Sequence, residues 1–179
     1  LMEDDPAFNA GTGSLLQADG AARLSASVMD GQARCFASAL NLEHVRNPVL
    51  VARALLDQSE HVLAGEGAVR FAHSIGLKRW NPVTPQRRAQ WRARQRGRHG
   101  TVGAVARDAQ GRLAAATSTG GRGFERPGRI SDSGTPAGNY AIPEAAVSCT
   151  GFGEHILDEG LAVRIAQRVA DGLPLAQAA

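Results

Sequence analysis

The stretch HGTVGAVARDAQGRLAAATSTGG, His99 to Gly121, restricts most strongly what this chain can become. Two runs of small and β-branched residues, Thr101 to Arg107 and Arg112 to Thr119, flank the turn Asp108 to Gly111, which predicts a β-hairpin. The hairpin opens on a Gly-Thr step. If the chain breaks between Gly100 and Thr101, Thr101 becomes an N-terminus that carries its own base. A hydroxyl is a poor nucleophile until its proton is taken, and a free α-amino group, with an ordinary pKa of about 7.7 to 8.0, can take it near neutrality. Thr101 is also the kind of β-branched residue that starts a strand, and in isolation that plainer reading is the better one.

The rest of the chain alternates between strand and helix signals. Gly13 to Gln17, Arg23 to Met29 and Cys35 to Leu40 predict three strands in a meander, the first two separated by the polar turn Ala18 to Ala22. Asn47-Pro48 then opens a helix with an apolar face of Val49, Leu50, Ala52, Leu55 and Leu56, and Gly65 to Ile75 predicts a second helix closed by Gly76. Ala145 to Thr150 reads as a strand and Gly153 to Ala170 as one helix ended by Gly172. Strands grouped with strands and helices with helices form layers, so the class is α+β.

At 179 residues the chain suits one domain with a sizeable core. No apolar run approaches the ~18 residues of a spanning helix, so no membrane association is expected. Cys35 and Cys149 make neither a disulfide framework nor a metal cluster, and read as buried reduced thiols in strands. Charge is unevenly spread. Lys78 to Gly100 holds eight basic residues and no acidic one, and the remaining twelve basic and seventeen acidic residues leave the rest at −5 within an overall +3. With Trp80 and Trp91 interleaved, segment 78–98 has the composition of a nucleic-acid-binding arm. Its low apolar content and its position before Gly100 favour a mobile linker instead, 78–100, which makes a nucleic-acid partner unlikely.

The company of Thr101 raises the stakes. TSTGG (Thr117 to Gly121), PGRISDS (Pro127 to Ser133) and AVSCTGFGE (Ala146 to Glu154) follow it; FNAGTGS (Phe8 to Ser14), VMDG (Val28 to Gly31), HVRNPVLVAR (His44 to Arg53) and GEGA (Gly65 to Ala68) precede it. In this order the motifs resemble the plant-type L-asparaginase and isoaspartyl peptidase family, the threonine branch of the N-terminal-nucleophile hydrolases. The resemblance implies a four-layer αββα sandwich, here truncated at both ends. It implies one domain, 1–179, that cleaves itself between Gly100 and Thr101 into subunits 1–100 and 101–179, pairs as a homodimer of cleaved heterodimers and resides in the cytoplasm. It further implies hydrolysis of L-asparagine, of β-aspartyl dipeptides, or of both, with no cofactor for catalysis. An inactive family remnant and the nucleic-acid-binding protein are the alternatives.

Residue by residue, the resemblance implies Thr101 as nucleophile, Thr119 beside it, and Thr150 (hydroxyl) with Gly151 (backbone N–H) as donors to the oxyanion. Gly100, without Cβ, supplies the scissile carbonyl. Arg129 would fork onto a substrate α-carboxylate and Asp132 pair with its α-amino group, with Gly153 adding a backbone contact and Asn9 lying near the nucleophile. MEDDPAFNAGTG resembles a loop that wraps a structural sodium ion with the main-chain carbonyls of Met2, Glu3, Asp5, Phe8, Ala10 and Thr12. Ser25 and Ser27 stand where relatives carry Asp and Cys, and Ser133-Gly134 lacks an expected proline; both departures fall near the implied substrate pocket.

Overall fold

A two-residue period of small side chains sets the layers of this protein. The computed structural model describes residues 2–95 and 100–179, so His99 and the arginines Arg96 and Arg98 of the basic segment lie outside the described residues. The elements are β1 (Leu24–Asp30), β2 (Cys35–Leu42), α1 (Pro48–Leu55), β3 (Val62–Ala64), α2 (Gly65–Ser74), α3 (Pro85–Arg92), β4 (Val102–Arg107), β5 (Leu113–Thr119), β6 (Asn139–Ala141), β7 (Ala146–Ser148), α4 (Gly153–Glu159), α5 (Leu161–Ala170) and α6 (Leu175–Ala178). The class is mixed α+β, as expected.

Five strands form one sheet in the order β3-β2-β1-β5-β4, antiparallel throughout except for β2 with β3, and β6 and β7 pair separately. On one face Ala26, Ala37 and Ala39 bury against Val51, Ala52 and Leu55 of α1 and Ala68 and Ala72 of α2. Alanines on the strands let the helices approach closely, and each fully buried Val or Leu contributes about 1.5–3 kcal/mol. Side chains one position along point the other way: Met29 and Ala115 meet Ala141 of β6. Behind that hairpin, Ala166 of α5 packs on Ile142 and Ala145. Among the described residues no helix is long and apolar enough to cross a membrane.

Three sequence expectations need correction. Gly13 to Gln17 is buried but joins no sheet, because other groups take its backbone: Gly13 N donates to Pro82 O at 2.8 Å, Gln17 N to Ala21 O at 2.8 Å, and Leu16 O accepts from Phe124 N at 2.9 Å. The place beside β1 in the sheet goes to β5 instead. The single helix expected over Gly153 to Ala170 is two, broken at Gly160, whose φ of 55° lies in the left-handed region that glycine tolerates.

The third correction concerns the basic segment, which is no tether over residues 78–95. Thr84 caps α3 by accepting from Arg87 N at 3.2 Å. Buried Arg87 donates through Nε to Gly13 O at 2.6 Å, Arg88 to Gly20 O at 2.8 Å, and Trp91 Nε1 to Gln17 O at 3.0 Å. Upstream, Trp80 Nε1 donates to Thr12 Oγ1 at 3.0 Å and its ring lies 4.8 Å under the Arg46 guanidinium. Composition counts these arginines as solvated charge; here their stems and donors cover a buried loop. The two cysteines are free, Cys149 buried just beyond β7 and Cys35 half-buried at the start of β2.

Candidate active site

Antiparallel pairing of β4 with β5 sets Val102 opposite Ser118, so one step further the start of β4 brings Thr101 to the end of β5 at Thr119. Thr101 Oγ1 donates to Thr119 Oγ1 at 3.3 Å, and the same Thr119 oxygen accepts from Gly121 N at 3.2 Å. The hydroxyl pair is long for an O–H···O bond. Loop 120–134 and the turn between β7 and α4 close the remaining sides.

Together they enclose a cavity of about 670 Å³, within the size range of small-molecule sites. Gly100, Thr101, Thr119, Thr150, Gly151, Arg129, Asp132 and Gly153, all anticipated from sequence, line it. Asn9 is absent from the lining and lies directly behind it. Its Nδ2 donates to Gly100 O at 2.9 Å and also to Gly121 O, while its Oδ1 accepts from Leu15 N at 2.8 Å. These contacts fix the amide's orientation, so one N–H stays aimed at the carbonyl preceding Thr101.

Arg129 donates through Nε to Glu154 Oε1 at 2.9 Å, and this bond holds the Glu154 carboxyl below its ordinary range. Burial pushes the Asp132 carboxyl up to about 6, against the pull of the Arg129 charge beside it. Asp132 Oδ2 is buried on the side of Gly138 with no hydrogen-bond partner among the described residues, and Oδ1 faces Gly153 and Arg129. Gly153 makes this convergence possible. A Cβ there would stand 2.7 Å from Asp132 Oδ1 and 2.9 Å from Arg129 Nη2, so the ends of both side chains would have to move away from their present positions.

Sequence reasoning missed the supports. Ser27 of β1 donates to Ser133 O at 2.6 Å and Ser38 of β2 to Gly134 O at 2.7 Å, so two buried hydroxyls grip the short 3-10 turn Asp132–Gly134. The signal was present: in strands of period two, both serines occupy positions facing the second sheet. Ser25, the other departure, accepts from Asn41 N at 3.1 Å. Glu154, Arg122 and Phe152 also line the cavity and were not anticipated as site residues.

The model of the asparaginase family matches residues 1–98 and 92–179, which together span the chain. The chain belongs to the asparaginase family. Among its relatives, the isoaspartyl peptidase/L-asparaginase of Synechocystis sp. is 45% identical over 99% of this chain and 60% of its own length. The isoaspartyl peptidase of Salmonella typhimurium is 44% identical over 99% of this chain and 64% of its own. The plant-type L-asparaginase of Pyrococcus furiosus is 38% identical over 100% of this chain and 66% of its own. The chain thus spans about three fifths to two thirds of the length of these asparaginase-family relatives.

Proposed function

We propose that this protein is a self-cleaving amidohydrolase acting on L-asparagine, on β-aspartyl dipeptides, or on both. The observation that carries the reading is the pairing of Thr101 Oγ1 with Thr119, beside a Gly100 carbonyl held by Asn9, on a cavity that also presents Arg129 and Asp132. The names of its relatives, isoaspartyl peptidase and L-asparaginase, support the same substrate class.

In self-cleavage, Thr101 Oγ1 attacks the Gly100 carbonyl carbon, and its proton passes to the departing Thr101 nitrogen. The Asn9 N–H stabilises the charge that develops on the Gly100 oxygen. Water hydrolyses the resulting ester, leaving a Gly100 carboxylate and a free Thr101 amine. That amine then serves as base for its own hydroxyl, which attacks the substrate amide. Thr150 and Gly151 donate to the second oxyanion; ammonia or an amino acid departs, and water releases aspartate from the acyl-enzyme. Arg129 holds the substrate α-carboxylate, Asp132 and Gly153 its α-amino group.

The same reading extends to the wider assembly. The layering of α1 and α2, the five-stranded sheet, the β6–β7 hairpin and α5 fits a four-layer αββα sandwich, one domain cut into 1–100 and 101–179. A homodimer of cleaved heterodimers in the cytoplasm, with no cofactor for catalysis and no nucleic-acid partner, belongs to it. A structural sodium ion in loop 2–12, held by the carbonyls of Met2, Glu3, Asp5, Phe8, Ala10 and Thr12, is part of the same reading; the Met2, Glu3 and Asp5 oxygens already accept backbone N–H bonds at 3.3, 2.8 and 3.1 Å, and each keeps a second lone pair for a cation.

The test is intact mass under denaturing conditions together with ammonia release from L-asparagine. Two fragments meeting at Gly100 and Thr101, with release of ammonia, are expected. An unbroken chain without release refutes the reading and favours the inactive remnant.

A further inference from the structure

The cavity holds a second guanidinium for which the reaction on asparagine has no use. Arg122 lines it on the side of Phe152 and α4, with a side chain 47% exposed. Its contacts are loose: 3.4 Å to Glu154 Oε1, 3.5 Å to Oε2, and a ring stack 5.9 Å over Phe152. Glu154 already commits Oε1 to Arg129 at 2.9 Å. One carboxylate therefore orients two guanidiniums, and most of the Arg122 donors point at nothing among the described residues.

The cavity is also an open cleft whose lining runs from Thr101 past Arg129 and Asp132 to Arg122 and Phe152, beyond the groups that asparagine alone would engage. Asparagine brings one carboxylate and leaves ammonia behind. A β-aspartyl dipeptide brings two carboxylates, and the second belongs to the leaving amino acid. Phe152 is 56% exposed, with its ring centroid 4.5 Å from that of His155 and the two planes tilted by 43°, and offers exposed apolar surface for that residue's side chain.

Building on the function proposed above, we infer that Arg122 is a specificity residue, binding the free C-terminal carboxylate of a β-aspartyl dipeptide while Phe152 receives the side chain of the leaving residue. An Arg fork matches a carboxylate, and Glu154 orients that fork without saturating it.

The test compares steady-state kinetics on L-asparagine, on β-aspartyl-leucine and on the same dipeptide amidated at its C-terminus, for the parent protein, Arg122→Met and Arg122→Lys. The parent is expected to favour the free acid over the amide by about fivefold to tenfold in kcat/KM, the size of one charge-assisted contact on a partly solvated rim. Arg122→Met should bring that ratio close to one, chiefly through KM, and Arg122→Lys should retain part of it. A parent that hydrolyses asparagine yet treats acid and amide alike overturns this inference alone. So does an Arg122→Met protein whose losses on asparagine and dipeptide are equal, because Arg122 would then act through Glu154 on Arg129. A parent that releases nothing from any of the three refutes the proposed function, and the inference with it.

Discussion

Thr101 concentrates at one residue what the proposed chemistry requires, and it gives the sharpest test. Thr101→Ala lacks the attacking oxygen and is expected to remain a single chain without amidase activity; a cleaved Thr101→Ala protein in a mass spectrum would refute the role. Thr101→Ser keeps the oxygen but loses the methyl that restricts its rotamer, so partial self-cleavage should remain. Arg129→Lys replaces a planar fork with a point charge. KM for L-asparagine should rise at least about tenfold while self-cleavage, which has no free carboxylate to hold, continues. Asp132 adds a pH signature. Its carboxyl is raised to about 6, above the ordinary 3.8, so the stability it contributes is full below the ordinary value and is lost as pH rises through about 6. Binding an ammonium needs the ionised form, so kcat/KM for asparagine should fall below pH 6, about tenfold per unit. A profile flat from pH 5 to 8 in the parent protein would contradict this.

At the scale of elements, α3 changes how the basic segment is understood. Its composition is that of a solvated spacer, and a spacer tolerates replacement. The contacts of Arg87 and Trp91 divide the segment in two. Replacing Arg92, Arg94, Arg96 and Arg98 with Gly and Ser should leave self-cleavage within a few-fold of the parent rate. Arg87→Ala leaves the Gly13 carbonyl without its charged donor and should cost about 1–3 kcal/mol, read as a lower Tm. Because α3 anchors the chain that runs on to Gly100, the same variant should slow self-cleavage, followed as fragment appearance over time. Equal rates for Arg87→Ala and the parent would mean that α3 carries stability only. The serines of β1 and β2 teach a related lesson. Period-two patterning reveals which way Ser27 and Ser38 point, but not that a turn about a hundred residues away needs their hydrogen bonds.

The whole molecule is interleaved across the proposed cut. β3, β2 and β1 come from before Gly100 and β5 and β4 from after it, yet β1 pairs with β5 along six residue pairs in one sheet. Cleavage therefore breaks one peptide bond and leaves the sheet whole. The cleaved protein should elute as one species under native conditions and as two chains in denaturant; separation of the halves under native conditions would contradict this pairing. The order of motifs, the hairpin β4–β5 and helices α1 and α2 were all legible in the sequence, because periodicity, Pro and Gly punctuation and contiguous motifs act over a few neighbouring residues. The amide of Asn9 on a carbonyl 91 residues away, the docking of α3 on loop 13–20, the sharing of Glu154 by two arginines and the substitution of β5 for Gly13 to Gln17 beside β1 came only from the tertiary structure. Those choices depend on which buried donors and acceptors find partners once distant segments are packed together, a competition that no local stretch of sequence contains.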